Sequence, residues 1–218
     1  MKYLQFNKEQ QEYLCKKDKR MAWAIEQIGS IKRPCDIDLF SSIVRHIIGQ
    51  QISSKALVTV WTRLKNKFGR INAKNIASST IEELQSLGMT YRKAGYIKDF
   101  AIKVYRKEFN LSDIEFMDDK EAIDKLSSLH GIGVWTAEMI LLFCLNRLNI
   151  FSFNDLAIQR GLRLLYKHKT ITHKIFEKYR KRFSPYCSLA SLYLWEIAGG
   201  AISELQDTSV KTKKLNRK

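Results

Sequence analysis

Leu129-His130-Gly131-Ile132-Gly133-Val134-Trp135-Thr136-Ala137 sets two glycines one residue apart between two stretches of helical periodicity. Glycine allows a tight turn and lets the backbone approach a neighbour closely. In such a turn the glycine amides and the free amides of the following helix point outward together, which suits them to grip a phosphate oxygen. The same glycines would serve an ordinary bend between helices, so the turn alone assigns no activity. After an apolar run, Asn154-Asp155 opens a further helical stretch, 156–166, where Asp155 can act as N-cap.

The elements that must carry these residues are helical. Only two prolines and ten glycines interrupt 218 residues, and helix formers dominate, which disfavours a sandwich or barrel. Residues 7–28 suit one or two short amphipathic helices, and Gly29-Ser30 and Pro34 then break the pattern. From Asp36, Ile37, Phe40, Ile43, Val44, Ile47 and Ile48 recur at three- and four-residue steps up to Gly49. A glutamine-bearing turn follows, and Ser53 or Ser54 caps a second helix that Gly69 closes. Thr80-Ile81-Glu82-Glu83 is a capping box for a short helix ending at Gly88. Further helices are expected at 92–107, from Asp118 to Ser128, and over 134–145.

The net charge is +16, and Lys211, Lys213, Lys214, Arg217 and Lys218 hold five of those charges, so the remaining chain still carries +11. Such an excess attracts polyanions, nucleic acid first and anionic membrane second, although it also serves solubility. Cys15, Cys35, Cys144 and Cys187 show no metal-ligand spacing. Reduced thiols in the cytoplasm account for them most simply. The N-terminus lacks the layout of a signal peptide, and the densest apolar run, 139–145, is too short to span a bilayer.

Four segments in order carry a resemblance. They are Ile47-Ile48-Gly49-Gln50-Gln51-Ile52-Ser53, Leu87-Gly88-Met89-Thr90-Tyr91-Arg92-Lys93-Ala94, the glycine turn at 129–137, and Phe153-Asn154-Asp155-Leu156-Ala157-Ile158-Gln159-Arg160-Gly161. Over residues 36–200 the chain resembles the helix–hairpin–helix (HhH-GPD) DNA glycosylase superfamily, and within it the 3-methyladenine DNA glycosylase II group.

The resemblance implies an all-α, two-lobed fold with the active site in the cleft between lobes. Residues 36–146 would form the central lobe, residues 1–35 with 147–208 the second, and 209–218 a basic flexible tail. It makes Asp155 the catalytic residue, because a carboxylate beneath C1′ stabilises the positive charge that builds on the sugar as the N-glycosidic bond breaks. Where the lyase branch has a Schiff-base lysine this chain has Trp135, which implies a monofunctional enzyme. Trp135 and Trp195 match positions lining the base pocket, where a cationic alkylated base stacks on electron-rich rings. Met139 replaces a pocket tyrosine, with Glu138 beside it, and the group's β-rich N-terminal domain finds no room here.

Leu129, Gly131, Gly133 and Thr136 match the DNA-binding hairpin. Gln50 matches the glutamine that fills the gap left by an extruded base, and Met89 or Tyr91 sits in the turn supplying the wedge. Backbone carbonyls of Ser127, Leu129 and Ile132 match a monovalent-cation site for Na+ or K+. No other cofactor is expected, and with only Cys187 near the C-terminus, no iron–sulfur cluster. The expected protein is a monomeric, cytoplasmic repair enzyme that excises alkylated purines from duplex DNA. The alternative is a non-catalytic helix–hairpin–helix binder of distorted DNA.

Overall fold

The computed structural model describes residues 3–36 and 38–205. The segment 209–218 expected to be a flexible tail lies outside the described residues. The chain divides into two compact units, one built on Pro34–Asn146 and the other on Tyr3–Arg33 with the chain from Arg147 onward. Among the described residues the structure is helical and contains no strand.

In the first unit the helices are α3 (Leu39–Gly49), α4 (Ser54–Phe68), α5 (Ala73–Ala77), α6 (Ile81–Gln85), α7 (Tyr91–Tyr105), α8 (Asp113–Phe116), α9 (Asp119–Ser127) and α10 (Val134–Phe143). Their starts follow from side chains that satisfy otherwise orphaned amides. Asp38 accepts from the Ser41 N–H, so α3 begins at Leu39, a turn later than the periodicity from Asp36 suggests. Ser53 caps α4, and capping boxes at Thr80 with Glu83 and at Asp118 with Glu121 open α6 and α9. The helix expected to reach Gly88 stops at Gln85, and the one expected to reach Leu145 stops at Phe143. Ile43, Ile47, Ile48, Leu64, Ile97, Phe100, Leu126 and Ile140 are buried together, and Phe40 stacks on Phe100 at 5.0 Å. Each such aliphatic side chain removed from water contributes about 1.5–3 kcal/mol before entropy is counted.

The second unit holds α1 (Lys8–Lys17), α2 (Lys19–Ile28), α11 (Leu156–Tyr166), α12 (His173–Phe183) and α13 (Cys187–Ala198). Asp18 separates α1 from α2: its carboxylate accepts from the Arg20 and Met21 amides and pairs with Arg182. At the centre lies α13, whose Leu189, Ala190, Leu192, Tyr193, Leu194 and Ile197 are all buried. It packs on α11 at Gly161, where a Cβ would stand 2.4 Å from the Leu194 carbonyl oxygen. Only glycine permits that approach, and the approach is what brings the start of α11 to the Trp195 ring.

Candidate active site

The turn between α9 and α10 is built on one indispensable glycine. Gly131 sits at φ +86°, a left-handed conformation, and a Cβ there would meet the Tyr96 ring at 2.4 Å. Gly133 is different: its φ is −91° and nothing lies within 4 Å of where a Cβ would be. Its missing side chain leaves the start of α10 approachable. That start has no side-chain cap, so its outward amides and the positive helix end are available to an anion. Leu129 and Ile132 anchor the turn as buried side chains, and Thr136 is buried one turn into α10.

Three contacts tie this hairpin to neighbouring elements of the same unit. Gln50 Nε2 donates to the Gly131 carbonyl at 2.6 Å. Tyr96 packs under Gly131, and His130 Nδ1 lies 3.2 Å from Asp99 Oδ2, which also pairs with Lys103 at 2.8 Å. Burial works against the Asp99 carboxylate, but Lys103 and His130 outweigh it and hold its pKa below the ordinary value. The turn after α3 is fixed in its own way. Lys93 Nζ donates to the carbonyls of Ile48 at 2.8 Å and Gln50 at 2.5 Å, capping the negative end of α3. Burial lowers the Lys93 pKa, with Arg92 adding to the effect.

The two wedge candidates part company: Met89 is buried at 7% exposure, whereas Tyr91, the first residue of α7, is 58% exposed. Trp135 presents 43% of its surface and lines two cavities. One, of about 390 Å³, is lined by Cys35, Asp36, Arg45, His46, Gln50 and Trp135 among others. The second, of about 370 Å³, is lined by Gln50, Gln51, Arg92, Lys93, Tyr96, Trp135 and Thr136. Met139 is buried and lines neither, and Glu138 is half-buried.

In the second unit Asp155 is buried at 6% exposure and caps α11. Its Oδ1 accepts from the Ala157 and Ile158 amides, both at 2.9 Å, and from the Trp195 indole N–H at 3.2 Å. Three donors converging on one oxygen fix the carboxylate's orientation. Gln159 closes the same loop by donating to the Phe153 carbonyl at 2.6 Å, and the Phe153 ring stacks on His173 at 3.6 Å. Among the described residues no group of three His, Cys, Asp or Glu side chains is placed to hold a metal.

A family model described as HhH-GPD superfamily base excision DNA repair protein matches residues 44–185, which contain the hairpin, both cavities' Trp135 and Asp155. The chain belongs to the HhH-GPD superfamily. Among solved structures, a DNA-3-methyladenine glycosidase from Bacillus halodurans is 31% identical with a TM-score of 0.81, covering 91% of this chain and 93% of that one. The Schizosaccharomyces pombe 3-methyladenine DNA glycosylase Mag1, solved in complex with abasic DNA, is 24% identical with a TM-score of 0.78, covering 91% of this chain and 100% of that one, and shows a shared fold. A Bacillus subtilis relative, YfjP, is 28% identical over 172 residues, 73% of this chain, and the chain spans 59% of that protein's length.

The HhH-GPD chain also carries site features that its sequence did not announce. Asp36 accepts from the Ser42 hydroxyl at 2.5 Å, with His46 Nε2 3.7 Å and Arg45 Nη1 4.0 Å from its carboxylate. His46 falls within an otherwise apolar helical pattern, where a histidine reads as filler. Its neighbour Asp36 lies ten positions earlier, outside any motif. Lys93 was inside a matching segment, but its role as a helix cap depends on a tertiary contact.

Proposed function

We propose that this protein is a monofunctional DNA glycosylase that hydrolyses the N-glycosidic bond of alkylated purines in duplex DNA, as a step of base excision repair. The observation that carries the reading is the Asp155 carboxylate, held by two amides and an indole N–H in a chain of the HhH-GPD superfamily. As the C1′–N bond lengthens, the sugar gains positive charge, and a fixed carboxylate stabilises that charge without reorganising. Water then adds to C1′ with its proton passing to the carboxylate, and an abasic site remains. An alkylated purine already carries positive charge, and the exposed face of Trp135 can stack on such a ring.

The uncapped start of α10 and the open backbone at Gly133 would grip a phosphate and hold the enzyme in register on the duplex. Among the wedge candidates, the exposed Tyr91 is the side chain able to enter a base stack, with Met89 packed behind it. Gln50 would serve as the gap filler by exchanging its bond to the Gly131 carbonyl for a contact with DNA. The carbonyls of Ser127, Leu129 and Ile132 would hold a monovalent cation. Their donor set fits one: Leu129 O accepts a single amide, from Ile132 at 3.1 Å, and carbonyl oxygens keep a second lone pair. Such an ion adds positive charge where a phosphate docks. The enzyme works as a monomer in the cytoplasm.

Incubation with methylated duplex tests this reading. Free alkylpurine and alkali-labile abasic sites should form, and borohydride should trap no protein–DNA adduct, since Trp135 offers no amine. Binding of the duplex without base release would instead mark a non-catalytic binder of damaged DNA, and a trapped adduct would mark a lyase.

A further inference from the structure

The cavity of about 390 Å³ beside Trp135 has a titratable wall that removal of a cationic base does not need. His46 lines it from α3, and Asp36, also a lining residue, points its Oδ2 at the His46 ring, 3.7 Å from Nε2. The Ser42 hydroxyl holds that same Oδ2 at 2.5 Å, so the carboxylate is oriented and not free to swing away. The Asp36 side chain is 17% exposed and that of His46 22%, so the pair is largely shielded from solvent. An imidazole oriented against a fixed carboxylate, in a cavity that also presents a stacking ring, has the elements of a general acid.

Bases differ in how much they need one. An alkylated purine leaves as a neutral molecule once its glycosidic electron pair returns to the ring. An uncharged purine lesion would leave as an anion unless a proton reaches it, so it depends on a donor beside the ring.

We propose that His46, supported by Asp36, is the general acid that protonates uncharged purine lesions as they depart, so that the cavity accepts deaminated or otherwise neutral purines as well as alkylated ones. The C1′–N9 bond breaks with its electron pair passing to the base. The His46 imidazolium transfers its proton to a ring nitrogen of that base and becomes neutral imidazole. Water supplies the hydroxyl at C1′, and solvent re-protonates His46 after the base has left. The inference rests on the glycosylase reading above.

The groups facing the imidazole set the pH behaviour. Burial pushes the His46 pKa below its ordinary value, Asp36 pulls it up, and Arg45 pushes it down. Cys35 lies on the segment before α3, and Cys144, at the end of α10, is held protonated by burial with a pKa of about 12. Lys93 is engaged with the carbonyls of Ile48 and Gln50. Release of a neutral lesion should therefore be fastest in mild acid and fall tenfold per pH unit above the imidazole pKa.

The experiment compares release of hypoxanthine and of 7-methylguanine from matched duplexes by wild type, His46→Gln and Asp36→Asn across mildly acidic to mildly alkaline pH. His46→Gln should lower hypoxanthine release at least about 50-fold more than 7-methylguanine release, within the range of general-acid contributions. Asp36→Asn, which keeps an acceptor for Ser42, should move the alkaline fall of hypoxanthine release to lower pH by about one pH unit. The proposal is overturned if wild type releases 7-methylguanine but no hypoxanthine, if His46→Gln lowers both equally, or if the hypoxanthine profile is flat with pH. Failure of wild type to release either base would sink the glycosylase reading itself.

Discussion

Asp155 shows how one side chain serves folding and chemistry at once. Its Oδ1 caps α11 and receives the Trp195 indole N–H, so the interactions that stabilise the helix start also aim the carboxylate. The thiols offer a direct check on the interior around such sites. Burial pushes both Cys144 and Cys187 up to about 12, and only the thiolate reacts with alkylating reagents. Mass-spectrometric mapping at a pH of about 8 should find these two lagging behind Cys15 and Cys35, and early labelling of Cys187 in native protein would contradict its buried position in α13. Individual roles were unevenly legible in the sequence. Asp155 stood out because an acid before a helical stretch is a strong local signal, and its pairing with Trp195 was hidden because the partners are forty positions apart. His46 was passed over for the same reason: nothing local distinguishes it until Asp36 is seen at its ring.

At the scale of elements, close approach of α11 and α13 at Gly161 is the feature that the second unit's site depends on. Gly161→Ala would force a Cβ onto the Leu194 backbone. A clash with backbone cannot be relieved by a rotamer change, so thermal or denaturant unfolding should show a loss of about 1–3 kcal/mol. A Tm equal to wild type would contradict the packing described. In the first unit, Lys93→Met keeps the aliphatic stem but deletes both bonds to the end of α3. Loss of hydrogen bonds from a charged donor should cost about 1.5–3 kcal/mol at most, less in proportion to solvent access. Duplex affinity should weaken with it, because the Gln50 turn loses its anchor, and unchanged affinity would separate that turn from DNA binding. Helix starts were readable wherever a side chain caps them, as at Ser53, Thr80 and Asp118. α13 was not marked out, because a helix apolar on nearly every face has no amphipathic period to detect. The short α5 and α8 were missed too, being little more than a turn each.

At the scale of the molecule, the charge of +16 and the helix–hairpin–helix sit in one HhH-GPD chain. If phosphate contacts dominate duplex binding, log affinity should fall linearly with log salt, by about 0.9 per phosphate neutralised. A flat response from low to physiological salt would argue against the hairpin as a phosphate grip. Family and helical class were legible before the structure because four motifs recur in order, whereas cavities and their linings come from tertiary packing that no local pattern encodes. None of the described helices is long and apolar enough to cross a membrane. The central claim is that Asp155 carries the chemistry, and the most direct measurement is release of alkylated purine from methylated duplex by wild type and Asp155→Asn. The carboxamide oxygen can still accept from Ala157, Ile158 and Trp195, so the variant should fold with a similar Tm. The account predicts a rate lower by at least about 10²-fold; a folded Asp155→Asn protein that releases base at the wild-type rate would contradict it.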